Sequence, residues 1–131
     1  LIGGALAQVV TQAPFPQGAQ PNNLTGSQTW TTSAQSTTLT GVSGKFTYLC
    51  GFVVTSTGTT PVTLGDVTIT GTVTGTINFE YLFPNASQGI IGTAFPGCIV
   101  SSAKGTSIVV NVPASGGSGT VGATTMWGYT N

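Results

Sequence analysis

Asp66-Val-Thr-Ile-Thr-Gly-Thr-Val-Thr-Gly-Thr-Ile-Asn-Phe-Glu-Tyr-Leu-Phe83 is the stretch that decides the fold class. Val67, Ile69 and Val73 fall on one parity, and Thr68, Thr70, Thr72 and Thr74 on the other. Beyond Gly75, Ile77, Phe79 and Tyr81 alternate with Asn78, Glu80 and Leu82. Successive side chains of an extended backbone point to opposite faces, so each run has one apolar face and one hydroxyl-rich or mixed face. The residue types agree: β-branched and aromatic side chains suit a pleated surface, and threonine is the polar residue a strand tolerates best.

The same texture continues from Ser27 to the end of the chain. Short apolar runs are cut by Gly, Asn or Pro every eight to twelve residues or so, the pattern of a sandwich or barrel. Strands are expected over Gln28–Thr32, Thr37–Val42, Phe46–Thr55, Pro61–Leu64, Asp66–Thr72, Thr76–Phe83, Gly89–Phe95, Ser107–Val112 and Thr120–Tyr129. Glycines such as Gly58, Gly65, Gly75 and Gly116, and the triplet Phe95-Pro96-Gly97, read as the turns between them. No window places apolar residues at the i, i+3, i+4, i+7 spacing of an amphipathic helix. The Thr-Gly-Thr triplets have no fixed period, which argues against a solenoid. Residues 25–131 therefore read as one all-β domain, an antiparallel β-sandwich, with Tyr48, Phe52, Phe79 and Tyr81 in its core.

Residues 1–24 differ. They are rich in Gln, Ala and Pro, and Pro14, Pro16 and Pro21 stand too close together for a helix or a central strand to persist. This segment reads as an extended N-terminal arm, with a disordered tail as the alternative. As an arm it would lie across a neighbouring subunit, contacting it through Leu1, Ile2, Val9, Val10 and Phe15.

Charge is almost absent. Lys45, Asp66, Glu80 and Lys104 are the only charged side chains, 3% of the chain, and there is no histidine; an ordinary domain is about a quarter charged. General acid–base chemistry needs a group that titrates near neutrality, and Asp66 and Glu80 are the whole pool. On neighbouring expected strands they can face each other as a glycosidase pair does, but the cleft such an enzyme needs has no counterpart in the sequence. Ion pairs with Lys45 or Lys104 are the preferred reading. No enzyme and no catalytic residues are expected.

Structural zinc takes four Cys or His ligands, and two cysteines fall short. Gly116–Gly119 lacks the following Lys-Ser/Thr of a phosphate loop. No metal and no cofactor are expected. Two lysines cannot track a phosphate backbone, so no nucleic-acid partner is expected, and no apolar run approaches the roughly 18 residues of a membrane span. Zero net charge favours association, and such a surface can be buried without desolvating ions. These properties suit a surface or a joint within an assembly.

Two pairs of residues keep alternatives open. Cys50 lies in the middle of an expected strand and Cys98 just after an expected turn. They read as buried free thiols, as an intramolecular disulfide, or as a bond to a neighbouring subunit. Trp127 and Tyr129 straddle Gly128 and share a face, either as a ligand platform for a sugar or as ordinary packing.

Lys45-Phe-Thr-Tyr-Leu-Cys-Gly-Phe52, Val67-Thr-Ile-Thr-Gly-Thr-Val-Thr-Gly75, Ala103-Lys-Gly-Thr-Ser-Ile-Val-Val-Asn-Val-Pro113 and Gly122-Ala-Thr-Thr-Met-Trp-Gly-Tyr129 together resemble the texture of small tailed-bacteriophage virion proteins of the capsid decoration or cement type. That resemblance covers about Phe46–Tyr129. It implies a jelly-roll-like sandwich and a non-enzymatic structural protein on the outer surface of the virion. It also implies a homo-oligomer, a trimer by preference, in contact with the major capsid protein or other virion proteins. The alternatives are a carbohydrate- or receptor-binding module of a phage fibre or collar, and a secreted pilus or surface-layer subunit using the arm as a donated strand.

Overall fold

A computed structural model describes residues 22–58, 63–83, 88–115 and 119–131. Its eight strands are β1 (Asn22–Trp30), β2 (Gln35–Leu39), β3 (Thr47–Thr57), β4 (Thr63–Thr72), β5 (Gly75–Phe83), β6 (Gln88–Val100), β7 (Ile108–Val112) and β8 (Val121–Thr130). None of the described residues is helical.

Pairing follows one rule. β4 pairs with β5, β3 with β6, β2 with β7 and β1 with β8, all antiparallel, so the strands nest around the β4–β5 hairpin. Two further antiparallel pairings, β3 with β8 and β4 with β7, roll this ribbon into two four-stranded sheets. Sheet I has the order β1-β8-β3-β6 and sheet II the order β2-β7-β4-β5. Eight strands rolled into two sheets in this way form a jelly roll. The antiparallel sandwich expected from the alternation is the fold observed.

The core lies between the sheets and is built from alternate residues. Leu49, Phe52 and Val54 of β3 and Met126 of β8 meet Val67 and Ile69 of β4 and Ile108 and Val110 of β7, each with 0% of its surface exposed. Phe52 packs at 5.2 Å from Phe79 and 6.2 Å from Phe95 (centroid to centroid), so β3, β5 and β6 share one aromatic cluster. Burying a side chain of this size contributes about 1.5–3 kcal/mol.

Two buried hydrogen bonds pin the cluster. Trp30 Nε1–H donates to Thr124 Oγ1 at 3.0 Å, and the Ser56 and Tyr81 hydroxyls meet across the sheets at 2.6 Å. Burial pushes the Tyr81 hydroxyl above the ordinary phenol range, and its bond with Ser56 works in the opposite direction.

The strand boundaries differ from the sequence reading at several points. β1 begins at Asn22, inside the stretch assigned to the arm; residues 1–21, including Leu1, Ile2, Val9, Val10 and Phe15, lie outside the described residues. β4 runs through Gly65 from Thr63, where a turn was expected. Gly65 is there for close approach, since a Cβ would come within 2.8 Å of Pro113 Cγ. β6 runs through Phe95-Pro96-Gly97, also expected as a turn. Residues 95–98 have no register partner in β3, and β6 is an edge strand of sheet I, so a proline there costs no ladder hydrogen bond.

Candidate interaction face

Sheet I has one face on the core and one face outward. On β8 the inward positions are Thr124 and Met126, both buried, so Val121, Ala123, Thr125, Trp127 and Tyr129 point outward. Register then fixes what stands beside them. Thr25, Trp127, Gly51 and Ala94 form one row across the four strands. Ser27, Thr125, Val53 and Gly92 form the next, and Thr29, Ala123, Thr55 and Ile90 the one after. None of these residues is charged.

Large side chains are exposed here too: Trp127 to 39%, Val121 to 54% and Ile90 to 68%. Glycines keep the face low. A Cβ on Gly51 would overlap Cζ2 and Cε2 of Trp127, so the indole rests directly on the backbone of β3. At Gly92 a Cβ would collide with the Phe52 carbonyl oxygen and with Val53. Ser27 and Thr125 add a hydroxyl pair at 3.1 Å.

The row of Tyr48 and Tyr129 adjoins Trp127. Their rings are stacked at 4.6 Å with planes 6° apart. Tyr129 is only 1% exposed; burial pushes its hydroxyl above the ordinary phenol range, and the neighbouring Tyr48 adds to that. Trp127 and Tyr129 thus share a face as expected, but only Trp127 presents open surface to a ligand.

A bulge lies beside this row. β3 pairs Leu49 with Ile99 and then Gly51 with Ala94, so residues 95–98 of β6 loop out opposite Cys50. Cys98 takes a left-handed backbone conformation, φ 48°, which is uncommon outside glycine. Cys50 and Cys98 are joined as an intramolecular disulfide, and no free cysteine remains. The bond ties the bulge to β3 while Phe95 turns inward to Phe52.

Sheet II is of a different character outside. Ser36 Oγ–H donates to Asn111 Oδ1 at 2.8 Å, and Asn111 Nδ2–H reaches the Thr68 and Thr70 hydroxyls at 3.3 Å each, linking β2, β7 and β4. Asp66 and Glu80 are register partners on β4 and β5, and both are exposed. Like charges in that position destabilise a sheet.

The lysines do not compensate them. Lys45 and Lys104 sit where β4 finishes: Gly105 N–H donates to Lys45 O at 2.8 Å, Ser102 N–H to Gly71 O at 2.9 Å. At about 3.3 Å per residue, Asp66 lies roughly 17 Å along β4 from Gly71. Lys104 Nζ instead lies 5.8 Å from the centroid of the Phe46 ring. The expected ion pairs of Asp66 and Glu80 with the lysines do not form; the two carboxylates face each other across the β4–β5 register instead.

Two cavities lie among the described residues. A groove of about 310 Å³ beside Asp66 is lined by Ser36, Thr68, Asn111 and Pro113 and does not include Glu80. A cleft of about 670 Å³ at the other end of sheet I is lined by Trp30, Gln35, Thr55, Gln88 and Gly122, among others, all uncharged. Among the described residues no three His, Cys, Asp or Glu side chains gather in a way that could hold a metal ion.

Sequence reading missed the face itself. Gly51, Gly92, Ile90 and Val121 carry no signal until the register places them beside Trp127 and Thr125.

Fold and face together define a jelly-roll domain whose distinguishing surface is uncharged and lies on one sheet. No family model matches the chain, and no curated protein matches it. Among solved structures it is similar to a chain of the capsid asymmetric unit of cyanophage Pam1, with 17% sequence identity, coverage of 95% of this chain and 94% of that chain, and a TM-score of 0.43.

Proposed function

We propose that this protein is a non-enzymatic structural subunit of a bacteriophage particle, decorating or cementing the outside of the capsid through contacts with copies of itself and with shell proteins. The observation that carries this reading is the uncharged outer face of sheet I, with Asp66 and Glu80 on sheet II and the lysines only at its margin beside Phe46. A fold alone does not give a function; jelly rolls serve in viral capsids, in lectins and in cupins. Metal chemistry of the cupin kind draws on imidazole ligands, and the chain has no histidine. A neutral, low, partly aromatic face is what a protein contact needs, since no ion has to be desolvated on closing it. Placement on a phage rests on the sequence resemblance given above.

The test is sedimentation of the full chain, alone and with emptied phage capsids, over a range of salt. A trimer that persists or tightens as salt rises, and that co-sediments with capsids, is expected, because screening weakens ionic contacts and leaves apolar ones intact. A stable monomer that fails to bind particles refutes the proposal.

One observation favours a second reading. Trp127 exposes its indole above Gly51, as an aromatic platform for a sugar ring would. Glycan binding that is abolished in Trp127→Ala would promote the carbohydrate-binding module over the structural subunit.

A further inference from the structure

We infer that the outer face of sheet I is the seat of residues 1–21 of a neighbouring copy. This rests on the assembly reading above and adds the surface that the segment occupies.

The face and the segment match in chemistry. Residues 1–21 contain no Asp, Glu, Lys or Arg, and they carry Leu1, Ile2, Leu6, Val9, Val10 and Phe15. Across from them stands a face with no charge, where Trp127, Ile90 and Val121 are exposed to 39%, 68% and 54%. Sheet II also exposes an apolar side chain, Leu64 at 61%, but there the Asp66 and Glu80 carboxylates stand beside it.

Reach agrees as well. The segment joins the sheet at Asn22, the register partner of Thr130, next to the Tyr48–Tyr129 end of the face. Twenty-one residues span up to about 70 Å when extended, roughly twice the length of a ten-residue strand such as β8. β1 starts at the end of sheet I where Phe46 and Asn131 pair, so the segment is attached at the margin of the face.

The experiment places a photo-cross-linking amino acid at Phe15 in the full chain. Oligomers are assembled from a mixture of ordinary and heavy-isotope copies, irradiated, and mapped by mass spectrometry. Cross-links between differently labelled copies, ending on peptides of β8 or β6, are expected. Ile90→Lys and Thr125→Lys, both on the face, should lower that yield by about tenfold or more, because an unpaired ammonium resists burial. Thr38→Lys, exposed on sheet II, should not; circular dichroism verifies that each variant is folded.

Cross-links between copies that end on sheet II overturn the seat and leave the assembly reading standing, and so do cross-links confined to one copy within an oligomer. A chain that forms no oligomer and gives no cross-link between copies overturns both.

Discussion

Replacing Cys50 and Cys98 together by alanine removes the bond that ties the β6 bulge to β3. The double variant avoids leaving a lone thiol. The two residues are 48 apart in sequence, and closing a loop of that length lowers the entropy of the unfolded chain by about 14 cal/mol/K, or about 4 kcal/mol at room temperature. An unfolding entropy of about 2.1 cal/mol/K per residue over 131 residues converts this to a fall in Tm of about 15 °C. Thermal unfolding followed by circular dichroism, for the oxidised protein, the reduced protein and the double variant, measures it. The last two should melt close together. The bond also holds Phe95 against Phe52, so the variant should expose the bulge to proteolysis before global unfolding. A fall in Tm of less than about 4 °C, equivalent to roughly 1 kcal/mol, would refute the loop-closure reasoning. So would free thiols titrated in the unreduced protein, or disulfide-linked dimers on a non-reducing gel.

Three further outcomes follow from particular contacts. Gly51→Val should lift the Trp127 indole off β3, costing about 1–3 kcal/mol as an overpacked site does; denaturant titration reads the cost, and a red shift of tryptophan emission reads the displacement. Tyr81 and Tyr129 both have hydroxyls whose pKa is raised by burial. Such groups keep their proton more tightly folded than unfolded, so stability is level below the ordinary phenol pKa near 10 and is lost as pH rises through the folded values. Phenolate absorbance should therefore appear together with unfolding, and Tyr81→Phe/Tyr129→Phe should remove much of that alkaline loss. Asp66→Asn removes one of two facing carboxylates and should raise stability at low salt, with the gain shrinking as salt is added; melting curves at two ionic strengths check it.

The alternation over Asp66–Phe83 made β4 and β5 legible, and with them the facing of Asp66 and Glu80, because side-chain parity is a local property. Other features depend on partners far along the chain. Pro96 looks like a turn residue because it lacks a donor, yet in a bulge of an edge strand no donor is required, and both bulge and edge are properties of register and sheet order. Gly65 resembles a breaker in the sequence and Gly51 an ordinary strand position; each is a glycine because Pro113 or Trp127 occupies the space of its Cβ. The cysteine pairing stayed open for the same reason: residues 95–98 loop out only in the register that β3 imposes. The interaction face was the least legible part, since it exists only where β1, β8, β3 and β6 are read across.

The nested pairing also sets an order in time. Loop-closure entropy grows with the length of chain enclosed, so the β4–β5 hairpin, closing from Thr72 to Gly75, is the cheapest pair to form. The β1–β8 pair, which brings Asn22 to Thr130, encloses nearly the whole domain and is the most costly. Contacts of such long range slow folding. β1 is therefore the last strand to be gained and the first to be released, and it is the strand through which residues 1–21 are attached. An incompletely folded chain lacks the β1 edge of sheet I. Until the outermost pair has closed, β8 is left as an unpaired edge of sheet I, so completion of the fold is also what removes that exposed edge.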